Sequence, residues 1–227
     1  MHQIGIRDEI IARVIARRGR VHLFDRFVPA RTASVVIDMQ ATFCAEGGPA
    51  EVPLSRQLVR PINRLNSLMR QAGGHVIWVN HANLNTNGQS DWAGFYDNFV
   101  SDAVRARTVE SMAPGSPGQE IWQGLEVEEA DIRMLKNRYS ALITGASPLE
   151  RVLRSLGIDT LLITGTKTNV CCESTARDAM MMDFNVVMVS DATAALSDDE
   201  HRAALETIIQ QFGDVMTIDE IAERLGR

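Results

Sequence analysis

The chain has 227 residues, of which 45% are hydrophobic and 23% are charged, and it contains 16 glycines, 7 prolines and 3 cysteines. This composition excludes disordered, collagen-like and disulfide-framed proteins, and it predicts a globular chain with a sizeable buried core. The formal net charge is −6, and no basic stripe is interleaved with aromatic residues, which argues against a nucleic-acid-binding surface. We therefore expect the partner to be a small molecule or a protein.

Secretion and membrane insertion are not expected. The N-terminal segment lacks the apolar stretch and the cleavage site of a signal peptide, and no apolar run approaches the length of a membrane span. Cys44, Cys171 and Cys172 form an odd number of cysteines with two adjacent, which is typical of free thiols in a reducing compartment. These features predict a cytoplasmic protein without membrane contacts.

The chain is expected to form one domain preceded by a short arm. A helix over Asp8–Arg18 lies in an N-terminal arm of residues 1–25, which serves in packing or oligomerisation or else extends into solvent, and residues 26–227 form the domain. In chain order, the predicted elements of the domain are strand Ser34–Asp38, helix Leu54–Ala72, strand His75–Asn80, strand Ile132–Leu135, helix Pro148–Leu156, strand Thr160–Thr164, helix Glu173–Met182, strand Asn185–Ser190, helix Asp198–Phe212 and strand Val215–Ile218.

The order of these elements predicts the fold class. The strands are short and rich in valine and isoleucine, as expected for strands buried on both faces, and glycine follows most of the helices. Alternation of strands and helices implies βαβ crossovers and a mainly parallel sheet covered on both faces. The sequence therefore predicts an α/β protein, a three-layer αβα sandwich.

The stretch from about residue 82 to residue 129 interrupts this alternation. It is rich in Asn, Gly and Ser, and a connection of this length in a compact domain is usually a binding loop or a lid. It also carries five aromatic residues, Trp92, Phe95, Tyr96, Phe99 and Trp122. These side chains either contact a substrate or form a small satellite core, and the sequence leaves both possibilities open.

Three residues at or beyond strand ends can carry chemistry. Ligands of open parallel sheets bind outside the carboxyl ends of the strands, where we expect Asp38, Lys136 and Cys171. Taken singly, the aspartate could be a turn former, the lysine a solvated strand end and the cysteine an inert buried side chain. A thiol at the start of a helix, however, has its thiolate favoured by the helix dipole. Cys44, in a glycine-containing loop, is expected to be inert.

Three segments resemble the signature blocks of the isochorismatase-like cysteine hydrolases. They are Val35–Gln40, Lys136–Ser140 and Thr164–Ala179, and their order and spacing match the family over about residues 30–218. The resemblance implies a six-stranded, mainly parallel sheet with Rossmann-like winding. It also implies an Asp-Lys-Cys catalytic triad.

Carried over residue by residue, the triad is Asp38, Lys136 and Cys171. In this assignment Asp38 accepts the thiol proton, Lys136 keeps that carboxylate ionised, and Cys171 attacks a carbonyl carbon. The backbone N–H groups of Lys167 and Cys171 form the oxyanion hole. The resemblance further implies a cis peptide between Thr166 and Lys167, and it places Cys172 where the family usually has an inward-packing valine.

The resemblance also suggests substrate contacts and argues against a metal. Nicotinamidases of the superfamily carry an Asp-x-His metal motif after the second strand, where this chain has Asn80 and His81, so we expect no catalytic metal and no other cofactor. His81 is either a polar pocket residue or a strand-end cap. Asn80, His81 and Tyr139 are candidate substrate contacts. Gln211, forty positions after Cys171, falls where biuret-type hydrolases place a substrate-binding glutamine, although it could equally be a surface residue.

Among family members, the second and third blocks look most like ureidoacrylate amidohydrolases and their N-carbamoyl-amide relatives. We therefore predict a hydrolase of a small ureide or amide (ureidoacrylate, biuret, triuret or N-carbamoyl type) that acts through a thioester and releases ammonia. The resemblance suggests a homo-oligomer, either a dimer or a tetramer. Two alternatives stay open: a hydrolase of another small amide or an ester, and a catalytically idle binding module.

Overall fold

The computed structural model describes residues 1–2, 4–87 and 89–225. Its strands are β1 (Thr32–Ile37), β2 (His75–His81), β3 (Asn85–Thr86), β4 (Gln89–Ser90), β5 (Ile132–Lys136), β6 (Thr160–Thr166), β7 (Asn185–Ala194) and β8 (Asp214–Met216). Six of them form one sheet in the order β5-β2-β1-β6-β7-β8, and every pairing in it is parallel. The predicted fold class is confirmed. The strand order reverses between β1 and β6, so the ligand crevice of such a sheet is expected there.

Helices cover both faces of the sheet. They are α1 (Asp8–Arg18), α2 (Ala41–Cys44), α3 (Val59–Ala72), α4 (Ala93–Tyr96), α5 (Asp102–Ser111), α6 (Leu149–Ser155), α7 (Glu173–Met181), α8 (Asp198–Thr207) and α9 (Ile218–Leu225). Adjacent residues of β1 point to opposite faces: Val35 belongs to the core that packs under α1, α6, α7 and α8, and Val36 to the core under α3 and α9. The molecule is therefore a three-layer sandwich.

The close approach of β1 and β6 depends on a glycine. Gly165 lies in β6 with a φ of +105°, and a Cβ at this position would overlap the backbone of Ile37 in β1. Only glycine combines this conformation with this lack of a side chain. The peptide that follows Thr166 is cis, as the resemblance implied. Residue 165 thus allows the chain to turn out of the sheet beside the end of β1.

Two parts of the chain differ from the predicted elements. The connection from residue 82 to residue 129 contains α4, α5 and the short strands β3 and β4. Most residues of α5 are polar, and only two of its residues are buried. Its sequence therefore lacks the regular spacing of apolar residues that predicts a helix. The predicted strand Val215–Ile218 ends earlier, and α9 begins at Ile218. The start of α9 is fixed by a reciprocal cap between Thr217 and Glu220. Thr217 Oγ1 accepts a hydrogen bond from Glu220 N at 3.3 Å, and Glu220 Oε2 accepts one from Thr217 N at 2.7 Å.

The N-terminal helix packs against the rest of the fold. Ile10 and Val14 of α1 are buried in the core formed on one face of the sheet, and Arg7, just before the helix, forms an ion pair with Glu206 at 2.7 Å. The division into an arm of residues 1–25 and a domain of residues 26–227 stays a prediction. Among the helices of the described residues, none has the length and apolarity needed to traverse a bilayer.

Candidate active site

Three strands deliver the predicted triad to one place. Asp38 follows β1 with a φ of +53°, a left-handed conformation that aspartate tolerates better than most residues. Lys136 is the last residue of β5, and Cys171 lies in a π-helical turn, Thr168–Cys172, that follows β6 and continues into α7. Asp38, Lys136 and Cys171 are at most 4% exposed. The structure thus brings the three residues together at the carboxyl ends of the strands, as the sequence predicts.

The Lys136 ammonium has three acceptors. Its Nζ lies 2.8 Å from Asp38 Oδ2, 3.1 Å from His81 Nδ1 and 3.0 Å from the carbonyl oxygen of Arg138. The contact with Asp38 is an ion pair, and the other two are hydrogen bonds. Burial disfavours the charged lysine, but the charge of Asp38 and the contact with Cys171 outweigh it and raise the Lys136 pKa. The ammonium is therefore a fixed positive charge in the site.

The neutral imidazole of His81 positions this ammonium. Burial and the nearby charge of Lys136 hold the His81 pKa well below its ordinary value. Since an ammonium only donates, Nδ1 accepts, so the ring proton lies on Nε2 and is donated to Asn83 Oδ1 at 2.9 Å. The side chain of Gln40 fixes the His81 backbone with two hydrogen bonds, one to its carbonyl (2.9 Å) and one from its N–H (2.6 Å). His81 is thus held from both sides.

The thiol of Cys171 and the carboxylate of Asp38 lie close to each other. The ligand atoms of Asp38, His81 and Cys171 all lie within 4.8 Å of one another. Burial, reinforced by the negative charge of Asp38, raises the pKa of Cys171 to about 12. Burial also raises the pKa of Asp38, although the Lys136 ammonium opposes the shift. Burial therefore outweighs the helix-terminus effect expected from the sequence, and at neutral pH the thiol is protonated and needs an adjacent acceptor.

The same cluster does not suit a metal ion. Asp38, His81 and Cys171 have metal-ligand side chains in close proximity, but Lys136 Nζ already contacts the carboxylate and the imidazole. A divalent cation among these atoms would lie against a buried ammonium and would displace two of its three acceptors. Repulsion between two buried like charges is large. The lysine thus occupies the position that a metal would need.

A cavity of about 220 Å³ opens onto Cys171. It is lined mainly by apolar and aromatic side chains, together with the polar side chains of His81, Thr108, Tyr139 and Lys167. Trp92 stacks on His81 at a centroid distance of 5.9 Å and meets Tyr139 edge-on at 4.7 Å. The volume of the cavity is below the usual range of about 300–1,000 Å³ for ligand pockets, so the cavity fits a small molecule.

The aromatic connection contributes both to this cavity and to a core. Trp92, Phe95 and Tyr96 line the cavity, whereas Trp122 packs against the core under α3 and α9. Phe99 is 76% exposed. The two possibilities left open by the sequence therefore apply to different residues of the same segment.

Two of the proposed substrate contacts lie elsewhere. Gln211 accepts a hydrogen bond from Arg17 at 3.0 Å and lines a groove beside α1 with Asn185, the first residue of β7. Cys171 follows the carboxyl end of the sheet, so Gln211 does not line the cavity that opens onto Cys171, and its contact with the substrate stays a prediction. The side chain of Asn80 donates to the carbonyl of Gln119 at 2.8 Å and lines a different depression. His81 and Tyr139 do line the cavity.

The other two cysteines are inert in this structure. Cys44 is fully buried, and burial raises its pKa to about 11. Cys172 is fully buried too, and its Sγ lies 3.6 Å from the carbonyl oxygen of Thr164. Cys172 therefore packs inward, and Cys171 is the cysteine that reaches the cavity.

Sequence reasoning missed Asn83 and Thr108. Asn83 orients His81, and its amide in turn donates to Asp91 at 2.8 Å. A signal for Asn83 was present, because polar residues directly follow the apolar run of β2. Thr108 lies on α5, whose sequence shows no apolar period, so nothing in the pattern pointed to a residue facing a cavity.

Comparisons with known proteins agree with this geometry. Residues 32–220 match the isochorismatase domain family. The chain is 29% identical to a ureidoacrylate amidohydrolase from Klebsiella pneumoniae, over 88% of this chain and 89% of that one. It is 33% identical to an Arabidopsis thaliana protein named "probable inactive nicotinamidase", over 86% and 96% of the two chains. The crystal structure of a cysteine hydrolase from Pseudomonas syringae superposes with a TM-score of 0.75 at 31% identity, covering 88% of this chain and 94% of that one.

Proposed function

Because the chain belongs to the isochorismatase domain family, we propose that it is a cysteine amidohydrolase that cleaves a C–N bond of a small ureide or amide without a catalytic metal. The observation that carries this proposal is the buried cluster of Asp38, Lys136 and Cys171 at the end of a small cavity. Similarity to a cysteine hydrolase and to a ureidoacrylate amidohydrolase supports the reaction class.

The reaction begins with proton transfer inside the cluster. The Asp38 carboxylate takes the proton from Cys171 Sγ as the sulfur attacks the substrate carbonyl carbon. The C=O π electrons move to the oxygen, which becomes an oxyanion held by the backbone N–H groups of Lys167 and Cys171. The Lys136 ammonium stays charged throughout and offsets the one negative charge that passes between carboxylate and sulfur. This division of roles follows the raised pKa values of Asp38 and Cys171.

The leaving group then departs and water completes the cycle. As the oxyanion collapses, the C–N bond breaks, the nitrogen takes the proton from Asp38, and ammonia or an amine leaves from a thioester. Asp38 next removes a proton from a water that attacks the thioester carbon. The C–S bond breaks, and the sulfur recovers the proton from Asp38. Atoms and charge balance over the two steps, with one water consumed for each amine released.

The cavity restricts the substrate to a compact molecule. A volume of about 220 Å³ and walls formed largely by aromatic and aliphatic side chains suit a ureide such as ureidoacrylate, biuret, triuret or an N-carbamoyl compound. One relative is named a ureidoacrylate amidohydrolase, which places ureidoacrylate among these candidates without separating it from the others. Another small amide or an ester is the runner-up. A catalytically idle module is the second alternative, and a complete triad argues against it. The cytoplasmic location and the homo-oligomeric state stay predictions.

Ammonia release tests the proposal. The protein is treated exhaustively with EDTA and assayed with ureidoacrylate, biuret, triuret, N-carbamoylsarcosine and nicotinamide, alongside Cys171→Ala. Cys44→Ala is the matched control, since Cys44 is also a buried cysteine but lies outside the cluster. We expect at least one ureide to be hydrolysed by the wild type and by Cys44→Ala but not by Cys171→Ala, and hydroxylamine to intercept the thioester.

Each other outcome points to a different conclusion. Turnover that Cys171→Ala retains would refute the nucleophile. Loss of activity on EDTA treatment, with recovery on adding a divalent ion, would refute the metal-independent mechanism. Hydrolysis of a larger amide or an ester but of none of the ureides would favour the runner-up. Absence of hydrolysis of every compound tested would favour the idle module.

A further inference from the structure

One buried hydroxyl at the cavity has no hydrogen-bond partner. Thr108 lies on α5, is 6% exposed and lines the cavity that opens onto Cys171. Its Oγ1 is buried and, among the described residues, no donor or acceptor satisfies it. A buried polar atom without a partner costs free energy, so such atoms are rare in folded proteins and call for a ligand or another cause.

Other helical threonines of this chain show what Thr108 does not do. In α7, the Thr175 hydroxyl donates to the carbonyl of Cys171, four residues earlier, at 2.8 Å. In α8, the Thr207 hydroxyl donates in the same way to Ala203 at 2.9 Å. This bond to the preceding turn is the ordinary way for a helical threonine to satisfy its hydroxyl. The Thr108 hydroxyl is not used in this way.

Two of the other polar side chains that line the cavity are already engaged. Both ring nitrogens of His81 have partners, and the Tyr96 hydroxyl contacts Asn83 Oδ1 at 3.2 Å and Met112 Sδ at 3.5 Å. The other cavity residues of α5 and its approach, Val100 and Val104, are apolar. A buried water needs two to four polar partners, and the apolar side chains of Val100 and Val104 supply none.

We propose that the Thr108 hydroxyl binds a second, neutral polar group of the substrate, distinct from the carbonyl that Cys171 attacks. This inference rests on the proposed function. A hydroxyl both donates and accepts, so it suits the remaining amide or ureide group of a compact substrate. Beside the apolar side chains of Val100 and Val104, a neutral polar group loses less hydration than a charged one. Thr108 is thus a specificity-determining residue that selects a substrate with two neutral polar ends.

The test separates binding from chemistry. Thr108→Val removes the hydroxyl at nearly constant volume, Thr108→Ser keeps it, and Thr207→Val is the matched control on another helix. With biuret we expect Thr108→Val to raise KM about tenfold, the effect of one neutral hydrogen bond, and to change kcat less than twofold. Thr108→Ser and Thr207→Val should keep the wild-type KM. For butyramide, which has no second polar group, all four proteins should behave alike.

The outcomes distinguish this inference from the proposed function. Unchanged KM in Thr108→Val, or an equal rise in Thr108→Ser, would overturn the role of the hydroxyl while the enzyme stays active. The rise in melting temperature caused by biuret gives a readout that needs no turnover. If no amide is hydrolysed but biuret stabilises the wild type and not Thr108→Val, the proposed function fails and the binding role stands. If biuret is neither hydrolysed nor bound, both fail.

Discussion

Replacing Lys136 by methionine should convert the candidate site into a buried, unpaired acid. Lys136 and Asp38 are both essentially unexposed, and their contact of 2.8 Å is the ion pair that keeps the carboxylate charged. The uncharged, similarly long methionine leaves Asp38 with no counter-charge. Because an isolated carboxylate in the interior is strongly disfavoured, Asp38 should take up a proton in the folded variant.

The cost can be worked out from this protonation. An unfolded aspartate ionises near pH 4, so at pH 7 the folded variant must hold a proton about three pH units above that value. Each unit corresponds to about 1.4 kcal/mol, so this protonation costs about 4 kcal/mol at pH 7. Because burial already raises the pKa of Asp38 in the wild type, the loss in the free energy of unfolding relative to wild type is at most this amount. The folded variant binds more protons than the unfolded chain, so its stability falls as pH rises and the loss shrinks to about 1 kcal/mol near pH 4.5.

Urea unfolding of wild type and variant at pH 4.5 and pH 7 measures this difference. Asp38→Asn combined with Lys136→Met should recover most of the stability at pH 7, because no buried charge is left. Lys167→Met is the matched control: Lys167 is the only other lysine of the chain, is half-buried and forms no ion pair within the described residues, so its effect should be small and independent of pH. A Lys136→Met loss of equal size at both pH values would refute the reasoning.

Three further predictions concern the same site. The proposed activity should fall in acid with a midpoint above the ordinary carboxyl pKa of 3.8, since burial raises the pKa of Asp38 and only its ionised form accepts the thiol proton; a kcat/KM profile with a midpoint at or below 3.8 would contradict this. His81→Phe removes one of three acceptors of the Lys136 ammonium and should lower kcat about tenfold with little change in KM, and an unchanged kcat would exclude the positioning role. Gly165→Ala should cost more than about 2 kcal/mol in thermal unfolding, whereas Gly145→Ala, also at positive φ but facing open space, should cost about 1; equal losses would disprove the close-approach argument.

Part of the site was predictable because it follows from strand ends. Asp38, Lys136 and Cys171 stand at or after apolar runs, and parallel strands bring their carboxyl ends to one edge of the sheet. The resemblance blocks then selected these three from other polar residues. Gln211 was proposed only from its spacing to Cys171 along the chain. Spacing does not determine whether a residue at the end of a helix lies near the amino or the carboxyl ends of the strands. Its neighbour in the groove is the first residue of β7, so it is near the wrong end of the sheet.

The amino-acid sequence by itself determined the α/β alternation and the buried strands, because both depend on local patterning, whereas the triad assignment came from the resemblance and stays a prediction. It did not determine the pKa of Cys171: the helix start favours the thiolate, but burial and the neighbouring Asp38 reverse the balance, and burial exists only after the layers pack. Nor did it determine the cavity wall. Thr108 reaches the site because a largely polar helix folds over it, a placement set by long-range packing and not by any period in the sequence.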